Sequence, residues 1–290
     1  MKLAELLRGV AVTDARANLE TEISGICIDS RRIGPGDLFV AVSRGFGEDR
    51  HEYISAALQS GAVCVLCEKP PENASVHYIL TADTRLALAS VSANFYGNPA
   101  ARLKLIGVTG TNGKTTVTSL IKAMLETLAD KPVGLIGTNR NMVGDAEYET
   151  GQTTPEAPEL HALFAKMVAA GCEYAVMEVS SHALALDRVA GLEFEVAVFT
   201  NLTEDHLDFH SDMDEYAQAK AKLFRSSRRA AVNRDDPYSA VMAENAPGEV
   251  SAFSVNDDNC DIVAKRVKLS PGKVEFSALT IGSLLPVELG

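Results

Sequence analysis

Short apolar runs alternate with helical patterns along most of the chain. Near the start, β-like runs cover 25–28, 38–42, 63–66 and 78–80, and helical stretches cover 53–60 and 84–95. Further on, apolar runs of strand length at 104–109, 133–137, 174–180 and 195–201 are separated by helices, one from about Thr116 and one over 158–170. Apolar strands separated by helices predict a parallel sheet with helices on both faces.

A turn cluster at Gly97-Asn98-Pro99 separates the two patterned regions. We therefore predict an α/β protein with a small N-terminal α/β domain over 1–99 and a central domain over 100–290. The length of 290 residues suits two domains. From Ala230 to the end, β-like runs follow one another, which predicts a β-rich end to the second domain.

Composition and charge exclude several classes of protein. Hydrophobic residues make up 46% and charged residues 23% of the chain, which is ordinary globular usage. The net charge of −12 argues against nucleic acid as a partner, so any phosphate must be held locally. Glu5 and Arg8 interrupt the apolar stretch that a signal peptide needs, and no run of about 18 apolar residues follows. We expect a cytoplasmic protein without membrane insertion.

Cys64 and Cys67 form a C-x-x-C inside the apolar run AVCVLC. The run favours two buried thiols in a strand, because no second cysteine pair completes a zinc site. Redox or metal chemistry at this pair stays open as the alternative.

The strongest chemical signal is KLIGVTGTNGKTT at 104–116, where a buried strand meets a glycine-rich turn and a helix with apolar residues at helical spacing. Glycines let backbone amides converge on phosphate, and the helix N-terminus adds its positive end. Lys114 supplies a charge for the outer phosphates, and Thr115 can ligate Mg²⁺. We predict a nucleotide-phosphate loop formed by Gly110, Thr111, Asn112, Gly113, Lys114, Thr115 and Thr116.

Two further candidates stand where strands end, which is where parallel α/β sheets bind ligands. Glu178 closes the apolar run YAVME and is placed to hold Mg²⁺, the alternative being a helix-capping carboxylate. His206 follows the run EVAVFTN among acidic residues, and we favour a metal ligand over a structural histidine. His210 is a weaker candidate.

Lys220 falls on the apolar face of a predicted helix that also carries Tyr216, Leu223 and Phe224, whereas Lys222 points away from it. A lysine held against apolar surface has a lowered pKa and a reactive neutral amine. The residues alone favour the simpler interpretation, in which the stem covers the core and the tip reaches water.

Several motifs together resemble one family. The runs TGTNGKTT, TTPE, MEVSSHALALDRV, NLTEDHLDFH, YAQAKAKLF and NRDD occur in the order and spacing of the Mur ligases, and IDSRRIGPGDLFVAV resembles the UDP-sugar domain of the MurE type. That type joins a diamino acid, meso-diaminopimelate or L-lysine, to UDP-N-acetylmuramoyl-L-alanyl-D-glutamate. The reaction consumes ATP and passes through an acyl phosphate.

The resemblance implies roles for individual residues. The phosphate loop would hold ATP, Thr115, Glu178 and His206 would serve two Mg²⁺ ions, and carbon dioxide would convert Lys220 to a carbamate ligand. The catalytic set would be Lys114, Glu178, His206 and Lys220. The UDP-muramoyl dipeptide would be held by Ser30, Gln152, Thr153, Thr154, Ser180 and Arg188.

The chain also departs from the family pattern. Arg50 and Gln152 stand where glycine and asparagine are usual, and Leu186 replaces a common glutamine. The family continues beyond this length with a C-terminal domain that binds the amino acid, so we expect a truncated, monomeric chain that is inactive alone. The alternatives are a non-catalytic UDP-sugar or nucleotide-binding module, and a sibling Mur or folate-type amide ligase.

Overall fold

The computed structural model describes residues 1–43, 45, 47, 49–73 and 75–289. The helices are α1 (Leu3–Leu6), α2 (Ile54–Gln59), α3 (Thr84–Phe95), α4 (Lys114–Ala129), α5 (Ala157–Ala169), α6 (Ser181–Ala185), α7 (Met213–Arg225) and α8 (Ser239–Asn245). Short 3-10 turns cover Ser30–Arg32, Arg50–Tyr53 and Pro99–Arg102. Within the described residues, no helix is both long and apolar enough to cross a membrane.

The early strands are β1 (Val12–Arg16), β2 (Gly25–Cys27), β3 (Asp37–Val40), β4 (Cys64–Cys67) and β5 (Tyr78–Thr81). The later strands are β6 (Lys104–Thr109), β7 (Gly134–Ile136), β8 (Asn141–Val143), β9 (Ala146–Tyr148), β10 (Tyr174–Glu178), β11 (Phe194–Phe199), β12 (Ser227–Asn233), β13 (Glu249–Ser254), β14 (Ile262–Ser270), β15 (Lys273–Thr280) and β16 (Ser283–Leu289).

The chain forms two compact units. The first consists of Met1–Leu103, Thr154–Glu173 and Ala183–Leu192, and the second of Lys104–Thr153, Tyr174–His182 and Glu193–Gly290. The sequence pattern predicted a single boundary between the two domains, near residue 99. Two later segments also join the first unit, because α5 packs against α3 and buries Ala157 in the same apolar cluster as Leu88.

The first unit is built on the sheet β1-β5-β4-β3-β2, which is parallel except where β1 meets β5. Residues along β3 and β4 enter two separate apolar clusters in alternation, as the strand period of two requires. Leu38, Val40, Cys64 and Leu66 pack with α1 and α3, and Phe39, Ala41, Val65 and Cys67 pack with α2. Helices therefore cover both faces of this sheet.

The same alternation shows whether the two thiols of the C-x-x-C motif can act together. Cys64 and Cys67 are free thiols that lie in different apolar clusters. Burial raises the pKa of each thiol to about 12. The prediction of buried core thiols is confirmed, and the redox or metal alternative is wrong, because side chains on opposite faces of a strand cannot share a bond or a metal.

The second unit is built on the sheet β16-β15-β14-β13-β12-β11-β6-β10-β7-β8-β9. Its central strands, from β14 to β7, are parallel, and antiparallel hairpins extend both ends. Helix α4 packs Val117 and Ile121 against Ile106 and Val108 on one face. Helix α7 lies on the other face, where a Cβ on Gly107 would meet the Leu223 side chain. The predicted parallel sheet with helices on both faces is confirmed.

Candidate functional site

The predicted phosphate loop forms the turn between β6 and α4 in the second unit. Gly110 has a φ of 151° and Gly113 a φ of 85°, a backbone conformation that side-chain-bearing residues rarely adopt. A Cβ on Gly110 would also collide with Oγ1 of Thr200. Both glycines are therefore required for the loop to turn into the N-terminus of α4, where backbone amides are open to an anion.

The segment after β11 fixes this loop from the side. The backbone N–H of Asn112 donates to Oδ1 of Asn201 at 2.9 Å, and that of Thr111 donates to the Asn201 carbonyl at 2.8 Å. Oγ1 of Thr200 and Nδ2 of Asn201 both donate to the Asn112 carbonyl, at 2.7 and 3.1 Å. These bonds hold the loop in one shape, so it is preorganised for a ligand.

Two lysines meet at one carbonyl of the loop. Nζ of Lys114 donates to the carbonyls of Gly110 and Thr111, each at 2.8 Å, and Nζ of Lys220 donates to the Gly110 carbonyl at 3.0 Å. Burial lowers the pKa of Lys114. Burial, followed by the nearby Lys114 charge, lowers the pKa of Lys220 well below its ordinary value. The two amines therefore lie side by side at the phosphate loop.

Lys220 points inward on α7, as its helical position predicted. The residue is 1% exposed, and its Nζ lies 4.4 Å from the centre of the Tyr216 ring. The interpretation in which the tip reaches water is wrong, because the helix places the amine against the phosphate loop rather than at its rim. Lys222, two residues along the same helix, is half-buried.

Glu178 ends β10 beside the first turn of α4 and is 1% exposed. Its Oε1 accepts from Oγ1 of Thr115 at 3.0 Å and from the backbone N–H of Thr138 at 2.9 Å. Its Oε2 accepts from Oγ1 of Thr138 at 3.0 Å. A Cβ on Gly137 would collide with Oε1, so the loop after β7 passes close to this carboxylate because it has no side chain there.

The pair of Thr115 and Glu178 borders a cavity of about 210 Å³ in the second unit. Other polar lining residues are Thr118, Ser119, Asn139 and Arg140. Adjacent hydroxyl and carboxylate oxygens are the donors that Mg²⁺ prefers, and the cavity adjoins the phosphate loop through Thr115. These residues therefore fit a magnesium ion bound with a nucleotide.

His206 lies on the segment after β11, with a φ of 55° and a side chain that is 44% exposed. Its ring makes edge contacts with His182 at 4.8 Å and Tyr216 at 6.1 Å between centroids. The Tyr216 ring thus lies between His206 and Lys220. Among the described residues, no three His, Cys, Asp or Glu side chains are grouped to hold a metal by themselves.

His210 is buried at 1% exposure and stacks on Tyr216 with 5.0 Å between ring centroids. Burial lowers its pKa, so the ring is held neutral against the tyrosine. The contacts of His210 are those of a packed residue that supports Tyr216.

A second cavity, of about 320 Å³, lies in the first unit and is lined by Asp29, Ser30, Arg31, Arg50 and Tyr53. Arg31 donates to both oxygens of Asp29 at 2.9 and 2.7 Å, and this side-chain hydrogen bonding lowers the pKa of Asp29 to about 2. Nη1 of Arg50 donates to the Ile28 carbonyl at 2.9 Å. Ser30, which was predicted to contact the uridine nucleotide, thus lines a cavity. Arg50, which stands where the family usually has glycine, lines the same cavity.

The other predicted substrate residues divide between the units. Thr154 and Arg188 belong to the first unit, where Nη1 of Arg188 donates to the Thr154 carbonyl at 3.1 Å. Nε of Arg188 lies 2.8 Å from Oε1 of Glu156. The second unit contains Gln152, which is exposed, together with Thr153 and Ser180, which are half-buried.

Three residues that contact predicted site residues were not singled out as functional from the sequence, namely Thr138, Glu156 and Tyr216. Thr138 lies two residues after the end of strand β7, so the strand-end rule that found Glu178 would also have found it. Glu156 and Tyr216 carry no local signal of this kind, because their roles arise from side chains distant in the sequence.

Family models match most of the chain. Residues 108–289 match the Mur ligase middle domain, and residues 22–96 match the catalytic domain of the Mur ligase family. This chain belongs to the Mur ligase family. The resemblance inferred from the motifs is therefore confirmed, and the two matched regions follow the order of Mur ligase domains.

Curated Mur ligases of one kind are similar over nearly the whole chain. UDP-N-acetylmuramoyl-L-alanyl-D-glutamate–2,6-diaminopimelate ligase of Caldanaerobacter subterraneus is 46% identical over 278 residues, covering 95% of this chain and 57% of the relative. The protein of the same name from Chlorobaculum tepidum is 46% identical over 281 residues, covering 91% of this chain and 55% of the relative. The chain thus spans somewhat more than half the length of these Mur ligases.

Solved Mur ligase structures share the fold. A UDP-N-acetylmuramoyl-L-alanyl-D-glutamate–2,6-diaminopimelate ligase superposes with a TM-score of 0.84 at 27% identity, over 99% of this chain and 59% of that one. MurF from Acinetobacter baumannii superposes with a TM-score of 0.68 at 23% identity, over 99% and 60%, which shows the fold alone.

Proposed function

We propose that this chain supplies the UDP-substrate-binding and ATP-binding parts of an amide ligase of peptidoglycan precursor synthesis. The ligase joins 2,6-diaminopimelate to UDP-N-acetylmuramoyl-L-alanyl-D-glutamate in the cytoplasm. The observation that carries the proposal is the meeting of Lys114 and Lys220 at the Gly110 carbonyl, beside the hydrogen-bonded pair of Thr115 and Glu178. The names of the relatives supply the substrates.

In this reaction the terminal phosphoryl group of ATP passes to the D-glutamate carboxylate and forms an acyl phosphate. The amine of the diamino acid then attacks the acyl carbon, and phosphate leaves. Lys114 and the amides at the start of α4 stabilise the negative charge of the transferring group, which is the main task of a protein in phosphoryl transfer. The phosphate loop Gly110 to Thr116 keeps this group in position.

Thr115 and Glu178 would hold one magnesium ion, and His206 with a carbamate on Lys220 would help to hold a second. Bound magnesium neutralises charge on the phosphate oxygens. The fit rests on the oxygen donors of Thr115 and Glu178, which already lie 3.0 Å apart.

Lys220 is the residue that carbon dioxide would modify. The neutral amine attacks the carbon of carbon dioxide, a nitrogen–carbon bond forms, and one proton is released. A lowered pKa raises the fraction of the amine that is neutral and so reactive. The product is an anion that offers carboxylate-like oxygens in place of the amine.

Ser30, with Arg50 beside it, would contact the nucleotide part of the UDP-sugar, and Gln152, Thr153, Thr154, Ser180 and Arg188 would contact the muramoyl dipeptide. Arg188 suits an acidic ligand because guanidinium pairs with carboxylate in a forked geometry. We propose a monomer that takes these small molecules and no nucleic acid.

Isothermal titration calorimetry tests the proposal on the 290-residue chain. We expect binding of a non-hydrolysable ATP analogue with magnesium, and separate binding of UDP-N-acetylmuramoyl-L-alanyl-D-glutamate. The variant K114A should no longer bind the nucleotide but should still bind the UDP-sugar. The control K131A replaces an exposed lysine outside the phosphate loop and should still bind both ligands. Failure of the unchanged chain to bind either ligand would refute the proposal.

The amino acid is tested by mass spectrometry of the product formed by a full-length relative, with either 2,6-diaminopimelate or L-lysine supplied. We expect the product of 2,6-diaminopimelate. Formation of the lysine product alone would overturn that choice.

A further inference from the structure

We propose that Thr138 is a positioning residue that links a ligand at Thr153 to the carboxylate of Glu178 through a chain of hydroxyl groups. The link makes binding of the UDP-substrate and binding of the magnesium nucleotide favour each other. It rests on the proposed function, because Thr153 is there a contact of the muramoyl dipeptide and Glu178 a magnesium ligand.

The chain lies wholly within the second unit. Oγ1 of Thr138 is 3.0 Å from Oε2 of Glu178 and 3.0 Å from Oγ1 of Thr153. The backbone N–H of Thr138 also donates to Oε1 of Glu178 at 2.9 Å. One residue therefore touches both carboxylate oxygens, and Oε1 is the oxygen that accepts from Thr115 of the phosphate loop.

The direction of the hydrogen bonds follows from the groups present. An ionised carboxylate only accepts, and a hydroxyl has one proton to donate. Thr138 is placed to donate to both Thr153 and Glu178. Its single proton goes to the charged acceptor, Glu178, because hydrogen bonds to ionised groups are stronger, so the proton between the two threonines comes from Thr153. The order of donation runs from Thr153 to Thr138 to Glu178.

This order specifies the ligand group that suits Thr153. Because its proton is committed to Thr138, Thr153 can take a further partner only as an acceptor. The matching ligand group is an N–H or O–H donor, such as a peptide amide of the dipeptide. A donor there polarises both hydroxyls in the same sense, and successive hydrogen bonds of this kind strengthen one another.

Exposure of the residues is consistent with such a link. Thr138 is exposed and Thr153 is half-buried, so a ligand can reach them, whereas Glu178 is buried. The chain thus leads from an accessible hydroxyl to an enclosed carboxylate. Fixing the orientation of that carboxylate favours the ligand that uses it.

The test measures the dissociation constant of a magnesium-bound, non-hydrolysable ATP analogue by calorimetry, with and without saturating UDP-N-acetylmuramoyl-L-alanyl-D-glutamate. For the unchanged chain we expect the nucleotide to bind at least about five-fold more tightly when the UDP-substrate is present, the lower range of ordinary coupling between sites. Thermal unfolding of each variant confirms that it is folded.

Thr138→Val and Thr153→Val remove one hydroxyl each at nearly constant volume, and both should reduce the ratio of the two constants to about one. Thr138→Ser keeps the hydroxyl and should restore the ratio. The control Thr127→Val, on the outer part of α4, removes a threonine hydroxyl outside the chain and should leave the ratio unchanged.

The outcomes separate the two proposals. If the unchanged chain binds neither ligand, the proposed function fails. If it binds both and the ratio is one, or if Thr138→Val keeps the ratio of the unchanged chain, the hydroxyl link is wrong while the proposed function stands.

Discussion

Oε2 of Glu156 lies 2.5 Å from Nη1 of Arg85, and both side chains are buried in the first unit. The other oxygen of the same carboxylate lies 2.8 Å from Nε of Arg188. The negative charge of Glu156 thus offsets part of the positive charge of Arg85 and Arg188. The three side chains together keep one net positive charge. Arg188 stays charged next to Thr154 because Glu156 offsets part of the cost of its burial.

Removing the carboxylate should destabilise the first unit strongly. Glu156→Ala leaves two arginines facing each other without an anion, and loss of one partner of a buried ion pair costs about 3 to 5 kcal/mol. We expect a lower midpoint in urea unfolding followed by circular dichroism.

The matched control is Glu159→Ala in the first turn of α5, the helix that Glu156 precedes. Glu159 pairs with Arg32 across 3.3 Å, but the two side chains are 55% and 71% exposed, and such a pair contributes at most about 1 kcal/mol. Equal losses for the two variants would show that the buried pair adds nothing to stability.

The sequence predicted the strands that are continuous apolar runs and missed several of the short or exposed ones. Strands β3, β4, β6 and β10 are continuous apolar runs, and each was found near its observed bounds. Strand β1, Val12–Arg16, is exposed along its whole length, and β8 and β9 have three residues each. β1 pairs with β5, which is distant in the chain, and β8 and β9 are too short for periodicity to give a signal.

The sequence predicted those parts of the candidate site that lie at the carboxyl ends of parallel strands, where such sheets bind ligands. The glycine-rich turn and Glu178 stand at strand ends, and the structure places Thr115 and Glu178 in contact. The helical face predicted that Lys220 points inward, but not that its amine meets the Gly110 carbonyl 110 residues earlier. Contacts of that kind follow from how α7 packs on the sheet, which no local pattern encodes.

A carbamate should form on Lys220 and not on Lys222. The two lysines lie on the same helix, but Lys220 is buried and that burial lowers its pKa, whereas Lys222 is half-buried. Carbon-13 NMR of the chain in labelled bicarbonate and magnesium, near neutral pH, should show a carbamate resonance that Lys220→Arg removes and Lys222→Arg retains. Absence of the resonance in the unchanged chain would refute the modification.

Gly137 should be required for magnesium-dependent nucleotide binding. Gly137→Ala places a methyl group against Oε1 of Glu178 and must move the carboxylate away from Thr115. Because changes that disturb the orientation of a metal ligand commonly cost about 10- to 100-fold in metal affinity, we expect a loss of that size by calorimetry. The control Gly151→Ala has open space around its new methyl group, and equal losses in the two variants would contradict the role of Gly137.

His161 should make the stability of the first unit depend on pH. It is 2% exposed on α5, and burial lowers its pKa from 6.5 to about 4. A buried histidine with a lowered pKa is neutral in the folded state, so its contribution is fully present above pH 6.5 and is lost as the pH falls towards 4. The shift corresponds to roughly 3 kcal/mol.

Urea unfolding at pH 7.5 and at pH 4.5 checks this. The free energy of unfolding of the unchanged chain falls between pH 7.5 and pH 4.5. Part of this fall arises because the His161 imidazole binds a proton more readily in the unfolded state than in the folded state. His161→Phe keeps an aromatic ring beside Phe164, which the imidazole meets edge-on at 5.9 Å, and should remove that part of the loss. His77→Phe changes an exposed histidine and should leave the pH dependence as it was. If His161→Phe has the same pH dependence as the unchanged chain, the buried imidazole is not the group that titrates.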